Sequence, residues 1–164
     1  MTTTHGLQCF EIDLEDTWCP LDETEFDATS DTFAFYNPIG DVRLFIFGER
    51  IDPGLRDLLD LALGMNRAAV AGLERVADRL GGALWVDGAT GIGETLTSCD
   101  VDVVAEVAGP AGVRQRMLVA TVVNSVVAIY LRLESATLTG DALRTLWRNL
   151  RPNLFLAEPV QPDG

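Results

Sequence analysis

The residues with the clearest chemical potential are carboxylates on one strand-like segment. Asp100 and Asp102 alternate with apolar residues and therefore share a strand face, along which Glu106 lies further on. Glycosidases use two carboxylates at a fixed separation, one with its pKa raised by burial. A solvated strand face produces the same alternation, and no Asp-x-Asp-x-Asn-Gly calcium loop is present. We therefore predict no catalytic pair and no metal site here, and a small carboxylate-dependent enzyme is only a remote alternative.

A second candidate is the glycine-rich segment Gly88-Ala-Thr-Gly-Ile-Gly93. Its spacing is G-x-x-G-x-G instead of the dinucleotide-binding G-x-G-x-x-G, and strand candidates flank it on both sides. The chain has no lysine, which excludes a Walker lysine and a Schiff-base lysine. Its one histidine is His5, which argues against a Ser-His-Asp or Cys-His site. The sequence predicts a flexible loop at this segment, no cofactor, and a protein that is not an enzyme.

The segment Arg114-Gln115-Arg116 carries a third kind of chemistry. Arg114 and Arg116 lie on one face of a predicted strand, near the acidic residues of the preceding strand. Two interpretations stay open. The arginines form ion pairs across the strands, or their guanidinium groups bind carboxylates or backbone carbonyls of a partner.

Composition indicates one domain with a strong acidic bias. The 164 residues are 48% hydrophobic and 23% charged, which suffices for one buried core. The formal net charge of -13 argues against nucleic acid or an anionic membrane surface as partner. Ten acidic residues precede the first arginine, Arg43. This stretch is a solvated strand face and loop, or a docking surface for a basic partner. Its candidate binding residues are Asp22, Glu23, Glu25 and Asp27.

Three scattered cysteines, Cys9, Cys19 and Cys99, include no Cys-x-x-Cys pair and predict buried free thiols. The opening residues lack the charged and apolar regions of a signal peptide. The longest apolar stretch spans residues 117–131, contains polar interruptions and is too short to cross a bilayer. We therefore predict a cytoplasmic location and no integral membrane segment.

Hydrophobic periodicity predicts the order β-β-β-α-(β)-β-β-β-α. The predicted strands are Leu7–Leu14, Thr32–Tyr36, Val42–Phe47, Leu84–Val86, Leu96–Val107, Val113–Val123 and Val126–Leu133. Helices are predicted over Asp52–Leu80 and from Thr139 or Gly140 to Pro152. Gly64 and Asn66 weaken the apolar face of the first helix, so a kink or a division into two helices is an alternative at this point.

The connections between these strands are short, which favours antiparallel hairpins. The predicted fold is α+β, with an antiparallel sheet of about six strands between helices on both faces. Residues 1–152 form a single domain with an acidic loop at 21–32, and residues 153–164 form a loose tail.

Several of these segments resemble PsbP-like domains. The run Arg114-Gln-Arg-Met-Leu-Val119, a tight turn, Ile129-Tyr-Leu131 and the helix Leu143–Leu150 follow one another as at the end of such domains. The opening Phe10-x-Ile-x-Leu14 and Trp18 are similar to their first strand and tryptophan. The resemblance implies an antiparallel sheet sandwiched between helices.

Within that superfamily, the chain is closest in character to the effector-associated (Eag) chaperones of bacterial type VI secretion. Those proteins are non-enzymatic and hold hydrophobic toxin segments, including transmembrane helices, against an apolar sheet surface. The resemblance implies a protein partner, an effector or toxin, and admits a homodimer. Gln115 and its neighbouring arginines would hydrogen-bond this client, and Val119 and Ile129 would contact it. The acidic stretch is not part of the family pattern, so an immunity protein that neutralises a cognate toxin through its acidic surface is the alternative.

Overall fold

The computed structural model describes residues 2–6, 9–21, 32–51, 57–79, 81–94, 98–109, 112 and 114–158. The strands of this part are β1 (Thr2–Gly6), β2 (Phe10–Leu14), β3 (Cys19–Pro20), β4 (Thr32–Asn37), β5 (Val42–Arg50), β6 (Ala83–Glu94), β7 (Ser98–Ala108), β8 (Arg114–Asn124), β9 (Val127–Ser135) and β10 (Leu154–Leu156). The helices are α1 (Leu58–Arg79), α2 (Gly140–Leu150) and a 3₁₀ turn (Arg151–Asn153).

The strands form two antiparallel sheets. The main sheet has seven strands in the order β3-β4-β5-β9-β8-β7-β6, and the smaller sheet has the order β1-β2-β10. Helix α1 connects β5 to the far edge strand β6 and therefore crosses one face of the main sheet. The predicted α+β class is confirmed. The main sheet has seven strands instead of about six because the two-residue β3 extends one edge.

One face of the main sheet packs against α2 and the smaller sheet. Alternate residues of the central strands, among them Leu118 and Ile129, form a core with Ile12 of β2 and Trp147 of α2. Thr139 caps α2 by accepting a hydrogen bond of 3.2 Å from the Ala142 N–H. The helix predicted to begin at Thr139 or Gly140 thus begins at Gly140.

The opposite face packs against α1. Leu58 and Ala62 lie on Val101 and Val123, while a second group around Leu73 lies on β7 and β8. Asn66 lies between these two groups, fully inside the helix–sheet contact. The helix is continuous over Leu58–Arg79, so it is not split at Gly64 or Asn66.

Four sequence expectations need correction. The predicted short strand Leu84–Val86 is part of the 12-residue β6, which includes the Gly88–Gly93 segment predicted as a loop; register shifts accommodate it. The predicted loose tail 153–164 contains β10, because Leu154 enters the core beside β2. Cys19 is exposed, although Cys9 and Cys99 are buried as expected.

Candidate functional site

An apolar groove lies beside α1, on the half of the sheet face that the helix leaves uncovered. Helix α1 packs on β6, β7 and β8, whereas β9, β5 and β4 continue past it. The groove has a volume of about 750 Å³. Its lining residues are mostly apolar: Thr32, Phe45, Phe47, Met65, Ala68, Ala69, Gly72, Leu73, Val76, Val119, Tyr130, Leu131 and Arg132.

Strand alternation places the floor residues of the groove. Phe45 and Phe47 on β5 face the α1 side and stand directly opposite Arg132 and Tyr130 on β9. The rings of Phe47 and Tyr130 stack with centroids 4.4 Å apart. The guanidinium of Arg132 lies 4.6 Å above the Phe45 ring. Two cross-strand pairs therefore form a flat, mainly apolar floor, on which Phe47 keeps 37% of its surface exposed.

The helical wall of the groove is built from small or slender residues. Met65, Ala68, Gly72 and Val76 follow one another at intervals of three or four residues and share one flank of α1. A methyl group added at Gly72 would meet no atom within 4 Å. Val76 is 38% exposed. The wall is consequently low, and the space above the floor stays accessible to a large apolar group.

One end of the floor carries a hydrogen-bonded tyrosine. The Tyr130 hydroxyl donates to Glu49 Oε1 over 2.5 Å. Burial, followed by this hydrogen bond and the Glu49 charge, raises the pKa of Tyr130 well above its ordinary value. Tyr130 therefore stays protonated at neutral pH. It acts as a hydrogen-bond donor and not as a general base.

The other end of the floor is cationic. Arg43 and Arg132 both face the α1 side, and Glu134 stands opposite Arg43 in the β5–β9 register. Arg132 Nε lies 2.8 Å from Glu134 Oε1. Arg132 is thus ion-paired with Glu134, and Arg43 stands across the strand from the same residue.

The structure separates the two apolar residues predicted to contact a client. Val119 lies on the α1 face of β8 and lines the groove. Ile129 points to the opposite face and is fully buried in the core with α2. The two residues cannot line one surface, because β8 and β9 are neighbours whose side chains alternate between faces.

Gln115 is likewise separated from Arg114 and Arg116. Arg114 and Arg116 lie 3.5 Å from opposite oxygens of Glu106, and Arg116 also donates to the Leu138 carbonyl over 3.1 Å. Gln115 pairs in register with Val107, on the face that α1 covers. Of the two interpretations of the arginines, the ion pairs across strands are the one that the geometry favours.

The remaining predicted residues fall outside the groove. Asp22, Glu23, Glu25 and Asp27 lie outside the described residues. Asp102 is buried, and Asp100 lies 3.9 Å from Arg151 at the α2 side. They do not form the solvated face that the alternation indicated, because α2 and the 3₁₀ turn cover this side of β7.

Two further observations bear on the class of site. Among the residues that the structure describes, no three His, Cys, Asp or Glu side chains are grouped so that they could hold a metal ion. None of the described helices is long and apolar enough to cross a membrane.

Sequence reasoning missed the aromatic floor. The two faces of β5 are both apolar: Val42, Leu44 and Ile46 on one face, Phe45 and Phe47 on the other. A strand that is apolar on both faces is expected to be covered on both, and α1 does not reach this one. The signal was therefore present in Phe45 and Phe47, but only the position of α1 shows that this helix leaves their face uncovered.

No protein-family model and no curated protein matches the sequence. Among solved structures, cyanobacterial PsbP (CyanoP) from Synechocystis is similar, with a TM-score of 0.63 and 15% identity, over 92% of this chain and 88% of that one. LpqN of Mycobacterium tuberculosis, described as involved in cell envelope biogenesis, has a TM-score of 0.51 and 13% identity, over 96% and 90%. A Bacteroides thetaiotaomicron protein has a TM-score of 0.59 and 12% identity, over 93% and 46%.

These similarities concern the fold. At identities of 12 to 15% the chains share an arrangement of strands and helices, and a shared fold does not by itself imply a shared function. The chain has a PsbP-like α+β fold, as the motifs of its two ends suggested.

Proposed function

We propose that this chain is a non-enzymatic protein-binding domain whose groove holds an apolar or amphipathic segment of a partner protein. The observation that carries the proposal is the open aromatic floor of β5 and β9 beside the low wall of α1. A chaperone or adaptor for a secreted effector or toxin, as in the Eag proteins, is the specific role that we propose.

The apolar character of the groove supports binding over catalysis. Contiguous exposed apolar surface on a small domain marks an interaction site, because leaving it in water costs free energy. The polar side chains on its floor are engaged with each other: Tyr130 with Glu49, and Arg132 with Glu134. Such pairs orient a ligand and discriminate between ligands, but they supply neither a nucleophile nor a general base.

Capture from a native lysate tests the proposal, with two variants of the same helix. Gly72→Leu fills the groove, since nothing lies within 4 Å of an added Cβ at Gly72. Gly64→Leu is the matched control, because Gly64 also has open space around it but does not line the groove. Wild type and Gly64→Leu are expected to retain one partner with a long apolar segment that Gly72→Leu loses.

Capture by the three proteins decides whether the groove is the binding site. Equal capture by all three proteins, or capture of nothing by wild type, would overturn the groove as the binding site. Repeating the capture at high salt addresses the immunity alternative, for which the net charge of -13 is the supporting observation. An apolar client resists salt, whereas a basic toxin bound to the acidic stretch is released.

The cellular location and the oligomeric state of the protein are further parts of the proposed function. A cytoplasmic location stays a prediction from the sequence, as does a homodimer. Size-exclusion chromatography with light scattering on the wild-type protein would decide between monomer and dimer.

A further inference from the structure

We infer that the occupant of the groove is an amphipathic α-helix of about three turns that carries carboxylates at one end. This inference rests on the proposed function and adds the secondary structure and the charge of the bound segment. It follows from the hydrogen-bonding state of the floor, the length of the wall and the position of the arginines.

An extended segment does not fit this floor. Strand β5 is paired with β4 on one side and β9 on the other, and β9 is paired with β5 and β8. Their backbone groups are already used, so a bound strand would leave its own N–H and C=O groups unpaired against apolar side chains. A helix satisfies its backbone internally and needs only an apolar stripe.

The dimensions of the groove suit a short helix. From Met65 to Val76 the wall runs eleven residues, which is about 17 Å at 1.5 Å per residue. Ala68 and Gly72 keep the wall low, and small residues allow two helices to approach to about 8 Å between axes. Three turns of a second helix therefore lie along α1 over the Phe45 and Phe47 rings.

Charge distinguishes the two ends of the groove. Along the groove side of β5, Arg43 and Glu49 flank the two phenylalanines. Arg75 and Arg79, both exposed, continue the helical row of Ala68 and Gly72 at intervals of three and four residues.

The opposite flank of α1 carries acidic residues. Glu74 lines a separate hollow on that flank, and Asp78 follows it by four residues. Toward the end near Arg132, the groove side thus carries Arg43 on the floor and the exposed Arg75 and Arg79 on α1, together with the carboxylate of Glu134. In a chain of net charge -13, this end attracts anionic groups.

Four fluorescein-labelled 18-residue peptides test the inference by fluorescence anisotropy. All have the same leucine stripe at helical spacing; three end in Glu, Gln or Lys residues, and the fourth is the Glu peptide with a central proline. We expect the Glu peptide to bind about tenfold tighter than the Gln peptide, as two moderate ion pairs provide. The Lys and proline peptides are expected to bind more weakly still.

Variants of the protein test which arginines cause the preference for the Glu peptide over the Gln peptide. Arg75→Gln with Arg79→Gln is expected to reduce the Glu-over-Gln preference to about twofold, and Arg67→Gln, on the other flank of α1, to leave it unchanged. Equal binding of the Glu, Gln and Lys peptides, blocked by Gly72→Leu, would overturn the charge inference and leave the proposed function standing. Proline-peptide binding as tight as that of its parent, or no binding by any peptide, would overturn the helical occupant; the lysate capture judges the proposed function separately.

Discussion

Asn66 of α1 donates a hydrogen bond from Nδ2 to the main-chain carbonyl of Val101 on β7, over 2.8 Å. Its Oδ1 accepts a hydrogen bond from the Thr121 hydroxyl on β8. The side chains of Asn66 and Thr121 are both buried, and a buried polar group is costly unless it is paired. One amide therefore ties the helix to two adjacent strands, which fixes the position of α1 over the sheet and the width of the groove on its flank.

Removing the two partners of this contact is expected to give losses of stability that are not additive. Asn66→Leu leaves the Thr121 hydroxyl buried without its acceptor and should lower the free energy of unfolding by about 2 kcal/mol. Asn66→Leu combined with Thr121→Val removes both polar side chains, so its loss should be smaller than the sum of the two single losses by about 1 kcal/mol. Urea denaturation of the four proteins measures this coupling. Strictly additive losses would contradict a clamp.

Trp147 holds α2 on the sheet. The indole is buried in the same core as Leu118 and Ile129, and Trp147→Ala is expected to lower the free energy of unfolding by about 3 kcal/mol. Asn149→Ala, two residues further on an exposed position of α2, is the control and should stay within about 0.5 kcal/mol. A near-neutral Trp147→Ala would be incompatible with the docked position of α2.

Local periodicity sufficed for most elements of the fold. Thr139 before a helical stripe predicts the start of α2, and Asn124 marks the β8–β9 turn, where its Oδ1 accepts from the N–H groups of Val126 and Val127. Such signals depend on a few neighbouring residues. They are readable before any tertiary contact is known.

Features that depend on residues far away in the chain could not be predicted from the sequence. Asn66 weakens the helical stripe in sequence, yet in the structure it anchors α1, because Val101 and Thr121 supply partners 35 and 55 residues away. Val119 and Ile129 both lie in apolar strands, and only the pairing of β8 with β9 assigns them to opposite faces. The groove itself is defined by how far α1 reaches across the sheet, which no local pattern encodes.

The end of the chain offers a neighbouring pair with contrasting roles. Leu154 is buried beside β2, whereas Phe155, the next residue of β10, is 52% exposed. Leu154→Ala is expected to lower the free energy of unfolding by about 2 to 3 kcal/mol, and Phe155→Ala by less than about 0.5 kcal/mol. Thermal and urea denaturation measure both. Equal effects would mean that β10 does not alternate between core and solvent as the structure has it.

Asp100 gives stability a distinctive pH dependence. Burial raises the pKa of its carboxyl, and the nearby Arg151 guanidinium offsets only part of that rise. A carboxyl with a higher pKa in the folded than in the unfolded state binds more protons when folded, so the free energy of unfolding falls as pH rises through the interval between the two values. Asp100→Asn is therefore expected to stabilise the protein at about pH 7 and to lose that advantage near about pH 3.

Asp141 is the control, because its replacement by Asn is expected to change the free energy of unfolding at neutral pH in the opposite direction. Asp141 lies exposed in the first turn of α2, where its negative charge interacts favourably with the positive end of the helix dipole. Asp141→Asn should lower the free energy of unfolding at neutral pH. If Asp100→Asn were destabilising at neutral pH and harmless in acid, the desolvated environment of Asp100 would be contradicted.

The two open glycines of α1 separate stability from groove access. Both Gly64 and Gly72 lie in the helix with no atom within 4 Å of an added Cβ, so Gly64→Leu and Gly72→Leu should each raise the free energy of unfolding by about 0.5 to 1 kcal/mol through helix propensity. The dye 1-anilinonaphthalene-8-sulfonate, which fluoresces in apolar clefts, reports the groove. Its fluorescence should persist with Gly64→Leu and fall with Gly72→Leu, whose new side chain occupies part of the groove. A loss of fluorescence in both variants would place the dye elsewhere on α1 and remove this support for an open groove.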